Sequence, residues 1–196
     1  SIGCKKTHNS KLMMRASFQK YTLQFKQPSG TSRGIYTTRD TWFIFLTDGI
    51  HTGIGECAPL PDLSLESPKK MNAKLLQVCE QIDYFIGNQL ELNNWPSIKF
   101  GIETALLDLK DGGNKELFPS AFTRGEQGIS INGLIWMGSP EFMKQQIRAK
   151  LDAGFRCIKM KIGALDFETE FELLKGIRKA FSPDDITLRV DANCAY

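Results

Sequence analysis

The sequence predicts an α/β protein built in two parts: an antiparallel meander with helices, and then a run of alternating strands and helices. Three observations support this fold class. Residues 15–25 roughly alternate polar and apolar side chains, Asp48-Gly49 is a hairpin signal between two short apolar runs, and a strand-helix-strand-helix-strand rhythm begins at Gly128. Consecutive β-α units form parallel sheets. We therefore expect an α+β part followed by the start of a parallel α/β part.

The first part contains three predicted strands and two predicted helices. The strands are expected at residues 15–25, 41–47 and 51–57, with a loop at 28–34. Ser67 is expected to cap a helix that Pro68 opens and that runs to about Ile86. A second helix is expected to begin at Pro96 and to end at Gly112-Gly113. Its apolar side is expected to contain Phe100, Ala105, Leu106 and Leu109.

The second part is predicted to alternate strands at 129–136, 157–162 and 187–191 with helices. These helices begin at Ser139-Pro140-Glu141 and at Asp166, and they end near Gly154 and Phe181. The polar segment 114–127 predicts a boundary, which divides the chain into a leader at 1–14 and parts at 15–127 and 128–196. A closed (β/α)8 barrel needs about 250 residues. If the second part belongs to a barrel, it is truncated after about three strands.

Composition excludes several classes of protein. The chain is 41% hydrophobic and 24% charged, as in soluble globular proteins. Its formal net charge of +3 gives no argument for a nucleic-acid partner, and its apolar runs are too short to cross a membrane. The five cysteines are odd in number, scattered and without a C-x-x-C pair, which argues against a disulfide framework or zinc site. With no signal peptide, a cytoplasmic location is expected.

Charged residues interrupt the last two predicted strands, C-I-K-M-K-I-G and T-L-R-V-D-A-N. Lysine and aspartate are almost never buried in such runs unless they are paired or bound to metal. Residues two apart share a side of a strand, so Lys159 lies beside Lys161, and Arg189 beside Asp191. Asp191 stands at a carboxyl end, where a metal ligand is expected in a barrel, and Asn193 continues the spacing into the loop.

These residue types suit the removal of a proton from a carbon acid. A lysine beside another positive charge in a desolvated site loses its proton more readily and can serve as a general base near neutral pH. A hard cation held by carboxylates can stabilise the oxygen charge of the resulting enediolate. The competing interpretation is that the lysines are solvated edge charges and that Asp191 caps a helix. The flanking apolar residues and the L-R-V-D-A-N segment favour the site.

At these residues the chain resembles the enolase superfamily, in its muconate-lactonizing branch. The matching segments are G-I-G-E-C-A-P-L-P-D-L-S (53–64), W-P-S-I-K-F-G-I-E-T-A-L (95–106), I-N-G-L-I (131–135), K-M-K-I-G (159–163) and L-R-V-D-A-N-C-A-Y (188–196). The resemblance implies an N-terminal capping domain, the first part of a (β/α) barrel, and Mg²⁺. It also implies a lyase of menaquinone biosynthesis that eliminates water from 2-succinyl-6-hydroxy-2,4-cyclohexadiene-1-carboxylate.

The resemblance also implies residue roles. Lys161 would remove the proton alpha to the carboxylate and then protonate the departing hydroxyl, while Lys159 would assist it and contact the substrate carboxylate. Asp191 would be the first metal ligand, with Arg189 and Asn193 supporting the site. The segment 28–34 falls where capping-domain loops of this family close over the substrate. As a mobile lid it would bring two further substrate-binding residues, Ser32 and Arg33, and a solvated loop is the alternative.

The remaining metal ligands and a second lysine are expected beyond Tyr196, so the 196-residue chain alone is expected to be inactive and poorly folded. Other activities of the superfamily stay open: dipeptide epimerase, N-acylamino acid racemase and muconate cycloisomerase. An inactive fragment or pseudoenzyme is the non-catalytic alternative. The expected partner is a small-molecule carboxylate substrate, with no nucleic acid and no membrane, and a homo-oligomer stays open.

Overall fold

The computed structural model describes residues 13–31 and 34–192. The strands and helices, in chain order, are β1 (Arg15–Thr31), β2 (Gly34–Thr47), β3 (Thr52–Cys57), α1 (Met71–Glu80), α2 (Ile82–Gly87), α3 (Pro96–Lys110), β4 (Gly133–Ile135), α4 (Pro140–Asp152), β5 (Cys157–Lys161), α5 (Phe167–Ala180) and β6 (Thr187–Asp191). Two compact units divide these elements. One lies within Ser1–Gln24 and Thr38–Arg124, and the other within Phe25–Thr37 and Gly125–Tyr196.

The predicted meander is present, in the order β1-β2-β3. Strands β2 and β3 pair antiparallel, with Trp42 opposite Cys57 at one end. The hairpin between them is held by Asp48, whose Oδ1 accepts hydrogen bonds from the Ile50 and His51 N–H groups, both at 2.8 Å. Gly49 supplies the left-handed backbone that this turn requires, with φ of +94°.

The loop predicted at 28–34 is wrong for the residues that the structure describes. Strand β1 continues to Thr31, β2 begins at Gly34, and the two strands are neighbours in the sheet. Pro28 and Gly30 gave the segment the composition of a loop, but β1 is an edge strand, where a proline removes no ladder hydrogen bond if its ring faces outward. Pairing between these neighbouring strands satisfies backbone groups that composition alone assigned to solvent.

The core of the first unit lies on one face of the meander. Trp42, Ile44 and Leu46 alternate along β2 and are at most 1% exposed. They share this face with Gly53 and Gly55 of β3, where α3 approaches so closely that the glycines are required. A Cβ built on Gly53 would lie 2.0 Å from the Ala105 carbonyl oxygen, and one on Gly55 would lie 1.8 Å from that of Gly101.

The helix predicted from Ser67 to about Ile86 is interrupted. A 3-10 turn at Pro68–Lys70 leads into α1, and Gln81, with φ of −124° and ψ of 36°, separates α1 from α2. The Ser67 side chain makes no capping hydrogen bond. The interruption lies at Gln81, where the backbone is not helical. The sequence did not predict it, since no glycine or proline lies at this position.

Helix α3 begins at Pro96 as predicted, but its first turn is satisfied from a distance. Glu66, which is 3% exposed, accepts a hydrogen bond from the Ser97 N–H at 2.5 Å. A carboxylate is favourable at a helix N-terminus because it meets unpaired N–H groups and the positive end of the helix dipole. Phe100 was predicted on the apolar side of this helix. That prediction is wrong, since Phe100 is 61% exposed.

Burial sets the chemistry of two free cysteines in this unit. Desolvation raises the pKa of the Cys57 thiol to about 12 and that of Cys79 to about 11. Both thiols are therefore neutral near physiological pH, and neither has the lowered pKa of a reactive cysteine.

These raised pKa values predict a loss of stability in alkali. A thiol whose pKa is raised by folding stabilises the protein fully below its unfolded pKa of about 8.5, and this contribution falls as pH approaches the folded value. We expect the free energy of unfolding to fall by about 1 kcal/mol per pH unit above about pH 9 through the buried Cys57 thiol. Urea denaturation of the wild-type protein and of Cys57→Ala at several alkaline pH values isolates the Cys57 contribution. Equal pH slopes for the two proteins would contradict it.

The second unit contains a parallel sheet in the order β4-β5-β6, as predicted. Strand β4 covers only Gly133–Ile135, although residues 129–136 were expected to be extended. The apolar residues before it do not enter the core, since Ile129 is 61% and Ile131 is 68% exposed. The β4 ladder therefore includes only the residues that have a partner on β5, from Gly133 opposite Ile158 to Ile135 opposite Met160.

Both helices of the second unit begin where the sequence predicted. Ser139 Oγ accepts a hydrogen bond from the Phe142 N–H at 3.2 Å, and Asp166 Oδ1 accepts one from the Thr169 N–H at 2.9 Å. The apolar sides of α4 and α5 pack with Ile158 and Met160 on one face of the sheet. Within residues 13–31 and 34–192, none of the helices has the length and apolar character that a membrane span needs.

Candidate active site

The candidate site lies on the face of the parallel sheet opposite to the helices. Ile158 and Met160 of β5 are fully buried on the helix side. Lys159 and Lys161 alternate with them and therefore point to the other side. In the register of β5 and β6, Lys159 lies opposite Arg189 and Lys161 lies opposite Asp191. The sheet thus brings together the four charged residues that the sequence singled out in these two strands.

Lys159 and Asp191 form an ion pair across the two strands. Lys159 Nζ lies 2.8 Å from Asp191 Oδ2, and the two side chains are 33% and 29% exposed. The contact is diagonal, because the residue directly opposite Lys159 is Arg189. A pair this exposed adds little to stability, but it fixes where the Asp191 carboxylate lies relative to the amines.

Lys161 stands against an aromatic ring at the carboxyl end of β4. Its Nζ lies 4.9 Å from the centre of the Trp136 ring, within the range of a cation–π contact. The ladder continues one residue beyond Lys161, where the Ile162 N–H donates to the Asp191 carbonyl oxygen at 2.9 Å. The end of β5 is therefore held on both sides, by an aromatic side chain and by the backbone of β6.

The position of Trp136 beside Lys161 was not expected from the sequence. Gln146 of α4 holds its backbone with two hydrogen bonds. The Trp136 N–H donates to Gln146 Oε1, and Gln146 Nε2 donates to the Trp136 carbonyl oxygen, both at 2.9 Å. The one sequence signal was that Trp136 is the last residue of the predicted strand at 129–136, and barrel enzymes place functional side chains at the carboxyl ends of strands. Nothing in the sequence pointed to Gln146.

Glu170 is a second residue that sequence reasoning missed. It is 2% exposed, and its carboxylate accepts hydrogen bonds from the N–H groups of Gly163, Ala164 and Leu165 at 2.8–3.2 Å. These three residues form the turn directly after Lys161 and Ile162. A buried carboxylate with several backbone donors is well satisfied. Glu170 therefore determines the conformation of the turn that leaves the candidate site.

Removing the Glu170 charge is expected to destabilise this turn. In Glu170→Gln an amide N–H₂ replaces one acceptor and opposes the Gly163 N–H, so we expect a loss of about 1–3 kcal/mol in the free energy of unfolding. Glu168→Gln is the matched control, because Glu168 is exposed and lies in the same first turn of α5. Urea denaturation and amide hydrogen exchange at residues 163–165 measure the effect. Equal behaviour of the two variants would contradict the role of Glu170.

Three predicted site residues lie outside the residues that the structure describes: Ser32, Arg33 and Asn193. Arg189 is described, and it is exposed on the site face of β6. The roles assigned to these residues stay predictions.

The described residues supply one fitting ligand for Mg²⁺. Asp191 offers a carboxylate at the end of β6, and carboxylate oxygens are the ligands that this cation prefers. Within 13–31 and 34–192, no group of three or more His, Cys, Asp or Glu side chains could hold a metal ion. Asp191 therefore fits as one member of a ligand set that the described residues do not complete.

Comparisons with known proteins agree with this architecture. Residues 13–109 match the family model of the MenC N-terminal domain, and residues 142–196 match a model described as enolase C-terminal domain-like. The o-succinylbenzoate synthase of Desulfotalea psychrophila is 40% identical over 215 residues, which cover 93% of this chain and 58% of that protein. The crystal structure of MenC from the same organism superposes with a TM-score of 0.78 at 34% identity, over 93% of this chain and 58% of that one.

Two further proteins show the range of the resemblance. The o-succinylbenzoate synthase of Thermosynechococcus elongatus, solved with Mg in the active site, gives a TM-score of 0.67 at 25% identity, covering 93% of this chain and 53% of that chain. A hydrophobic dipeptide epimerase of Roseobacter litoralis is 24% identical over 186 residues, which cover 92% of this chain and 54% of that protein. The chain thus spans little more than half the length of these relatives.

The antiparallel sheet with helices and the parallel β-α unit that follows it match the fold of the solved MenC structure. The chain belongs to the enolase superfamily. Within that superfamily it is similar to the o-succinylbenzoate synthases of the MenC type. The predicted fold class, an α+β capping domain followed by the start of a (β/α) barrel, is confirmed.

Proposed function

We propose that this chain carries the proton-transfer half of an o-succinylbenzoate synthase active site. The reaction is the elimination of water from 2-succinyl-6-hydroxy-2,4-cyclohexadiene-1-carboxylate, which yields o-succinylbenzoate. The single observation that supports this most is the register of β5 and β6, which sets Lys161 directly opposite Asp191 on the site face. An amine and a carboxylate at neighbouring strand ends can act on one small acid held between them.

Lys161 is the base and then the acid. In its neutral form the amine removes the proton alpha to the substrate carboxylate, and the ammonium that results donates a proton to the departing hydroxyl. One residue can perform both steps in a syn elimination, because the proton and the hydroxyl leave from the same face of the ring. The contact with Trp136, at 4.9 Å, keeps the Lys161 amine at the carboxyl end of the sheet.

Lys159 and Asp191 bind and orient the carboxylate end of the substrate. Asp191 is one ligand of Mg²⁺, and the bound cation supplies positive charge that stabilises the oxygen charge developing on the substrate carboxylate. Lys159 Nζ lies 2.8 Å from Asp191 Oδ2. From this position it can also contact the substrate carboxylate. We assign supporting roles to Arg189 and Asn193.

Substrate contacts from Ser32 and Arg33 are part of the proposal. In the sequence, Ser32 and Arg33 stand between the end of β1 and the start of β2. Loops that close over a substrate exclude water and complete a site. We propose that these two residues contact the substrate. We also keep, as a proposal, the predicted division of the chain after residues 14 and 127.

An assay of the native gene product with Mg²⁺ tests this function. We expect dehydration of the cyclohexadiene acid and no comparable turnover of N-acyl amino acids or dipeptides. Epimerisation of dipeptides without dehydration would instead assign the chain to the activity of its dipeptide-epimerase relative. Absence of every superfamily activity would favour a pseudoenzyme.

A further inference from the structure

We propose that Trp136 is a positioning residue for Lys161, and that Gln146 holds Trp136 in place. The contact itself is independent of the reaction. Its importance for turnover rests on the proposed function, in which Lys161 transfers the proton. The inference joins three elements of the second unit: the end of β4, the end of β5 and the middle of α4.

The ring restricts where the Lys161 amine can go. A lysine side chain has four rotatable bonds, and ordering it costs conformational entropy. The ring face of Trp136, 4.9 Å from Nζ, offsets part of that cost through its attraction for the cation. Lys161 is half-buried, and cation–π contacts strengthen as the cation is desolvated. The amine is therefore held at the strand end before a substrate arrives.

Gln146 holds Trp136 because the ladder of β4 has already ended. The last pair of β4 and β5 is Ile135 opposite Met160, so the backbone of Trp136 has left the sheet. A backbone N–H or carbonyl that loses its ladder partner must find another one. The Gln146 amide supplies both, accepting from the Trp136 N–H and donating to its carbonyl oxygen at 2.9 Å.

The anchor of this arrangement is the core of α4. Gln146 stands between Met143, which is fully buried, and Ile147, which is 8% exposed. Both side chains pack in the apolar cluster of the second unit. The packing of its helix therefore fixes the position of Gln146. Gln146 in turn fixes the Trp136 backbone, and the Trp136 ring restricts the position of the Lys161 amine.

The competing role for Trp136 is simple packing or a substrate contact. A packing residue would change stability without moving Lys161. A residue that only contacts the substrate would raise KM and leave kcat unchanged. A positioning residue instead lowers kcat, since it acts through the group that transfers the proton.

The test combines NMR and kinetics on the native gene product. Lysine labelled with ¹³C gives Hε–Cε resonances, and the Lys161 resonance is identified by its absence in Lys161→Arg. We expect an upfield ring-current shift of that resonance, lost in Trp136→Leu, partly kept in Trp136→Phe and reduced in Gln146→Ala. Trp95→Phe is the control, because Trp95 precedes α3 in the other unit, and it is expected to leave the shift and kcat unchanged.

In the dehydration assay we expect Trp136→Leu to lower kcat about two- to thirtyfold with KM unchanged, and Trp136→Phe to restore part of the rate. A Lys161 resonance that does not move in Trp136→Leu overturns the proposal, as does a raised KM with unchanged kcat. If the wild-type protein dehydrates nothing, the proposed function fails. The resonance shift then decides by itself whether the ring positions the amine.

Discussion

Replacing Lys161 is expected to abolish turnover. Lys161→Arg keeps the positive charge and much of the side-chain length, but a guanidinium is not deprotonated in proteins and cannot serve as a base. Lys161→Ala removes the proposed base altogether. Because a positioned general base contributes about 10²–10⁴-fold, we expect kcat of both variants to fall by at least about 10²-fold. Steady-state kinetics of the dehydration measures the effect.

The control for this pair is Lys175→Ala. Lys175 is exposed on α5 and pairs with Glu172 at 2.6 Å, on the surface of the helix. We expect it to keep the wild-type kcat. Circular dichroism should show that the Lys161 variants are folded, since Lys161 is not part of the buried core. If Lys161→Arg kept a rate close to that of the wild type, Lys161 would not be the base.

The largest expected loss of stability comes from Gly55→Ala. A Cβ at residue 55 would lie 1.8 Å from the carbonyl oxygen of Gly101 in α3. The backbone fixes the position of the Cβ, and the Gly101 oxygen is itself a backbone atom. No side-chain rotation relieves the overlap, so strand β3 must separate from α3. Overpacking typically costs about 1–3 kcal/mol, and we expect this rigid contact to cost about 3 kcal/mol or more in the free energy of unfolding.

Gly87→Ala and Gly176→Ala are the matched controls. Each places the same methyl group at a helical glycine with nothing within 4 Å. Alanine is a better helix former than glycine, so Gly176→Ala is expected to raise stability by about 0.5–1 kcal/mol. Urea denaturation midpoints compare the three variants. If Gly55→Ala unfolded at the same urea concentration as Gly87→Ala, the close approach of α3 and β3 would be refuted.

The ion pair of Lys159 with Asp191 gives the two lysines of K-M-K different surroundings. Lys159 Nζ contacts a carboxylate, and Lys161 Nζ contacts an aromatic ring. This division of partners supports the assignment of Lys159 to substrate binding and of Lys161 to proton transfer.

The elements that the sequence predicted best have strong local signals. Pro96 opens α3, and Ser139 and Asp166 cap α4 and α5, because the cap geometry depends only on nearby residues. The run of β-branched and apolar residues around Lys159 fixed β5 to within one residue of the prediction.

The predictions that failed concern residues whose state depends on distant partners. The segment at 28–34 has loop composition, but most of it pairs as strand. The apolar residues Ile129 and Ile131 suggested an early start for β4, yet they are exposed because no residue of β5 lies opposite them. Local composition does not contain the position of a partner strand.

The sequence by itself determined which charged side chains share a face, because alternation along a strand places residues two apart on one side. It determined in the same way that the carboxyl ends of β5 and β6 carry an amine and a carboxylate. Only the tertiary structure decided what each of them contacts: the diagonal pairing of Lys159 with Asp191, and the ring beside Lys161. The physical reason is that register and long-range hydrogen bonds join residues distant in the chain, and spacing along one segment contains no information about them.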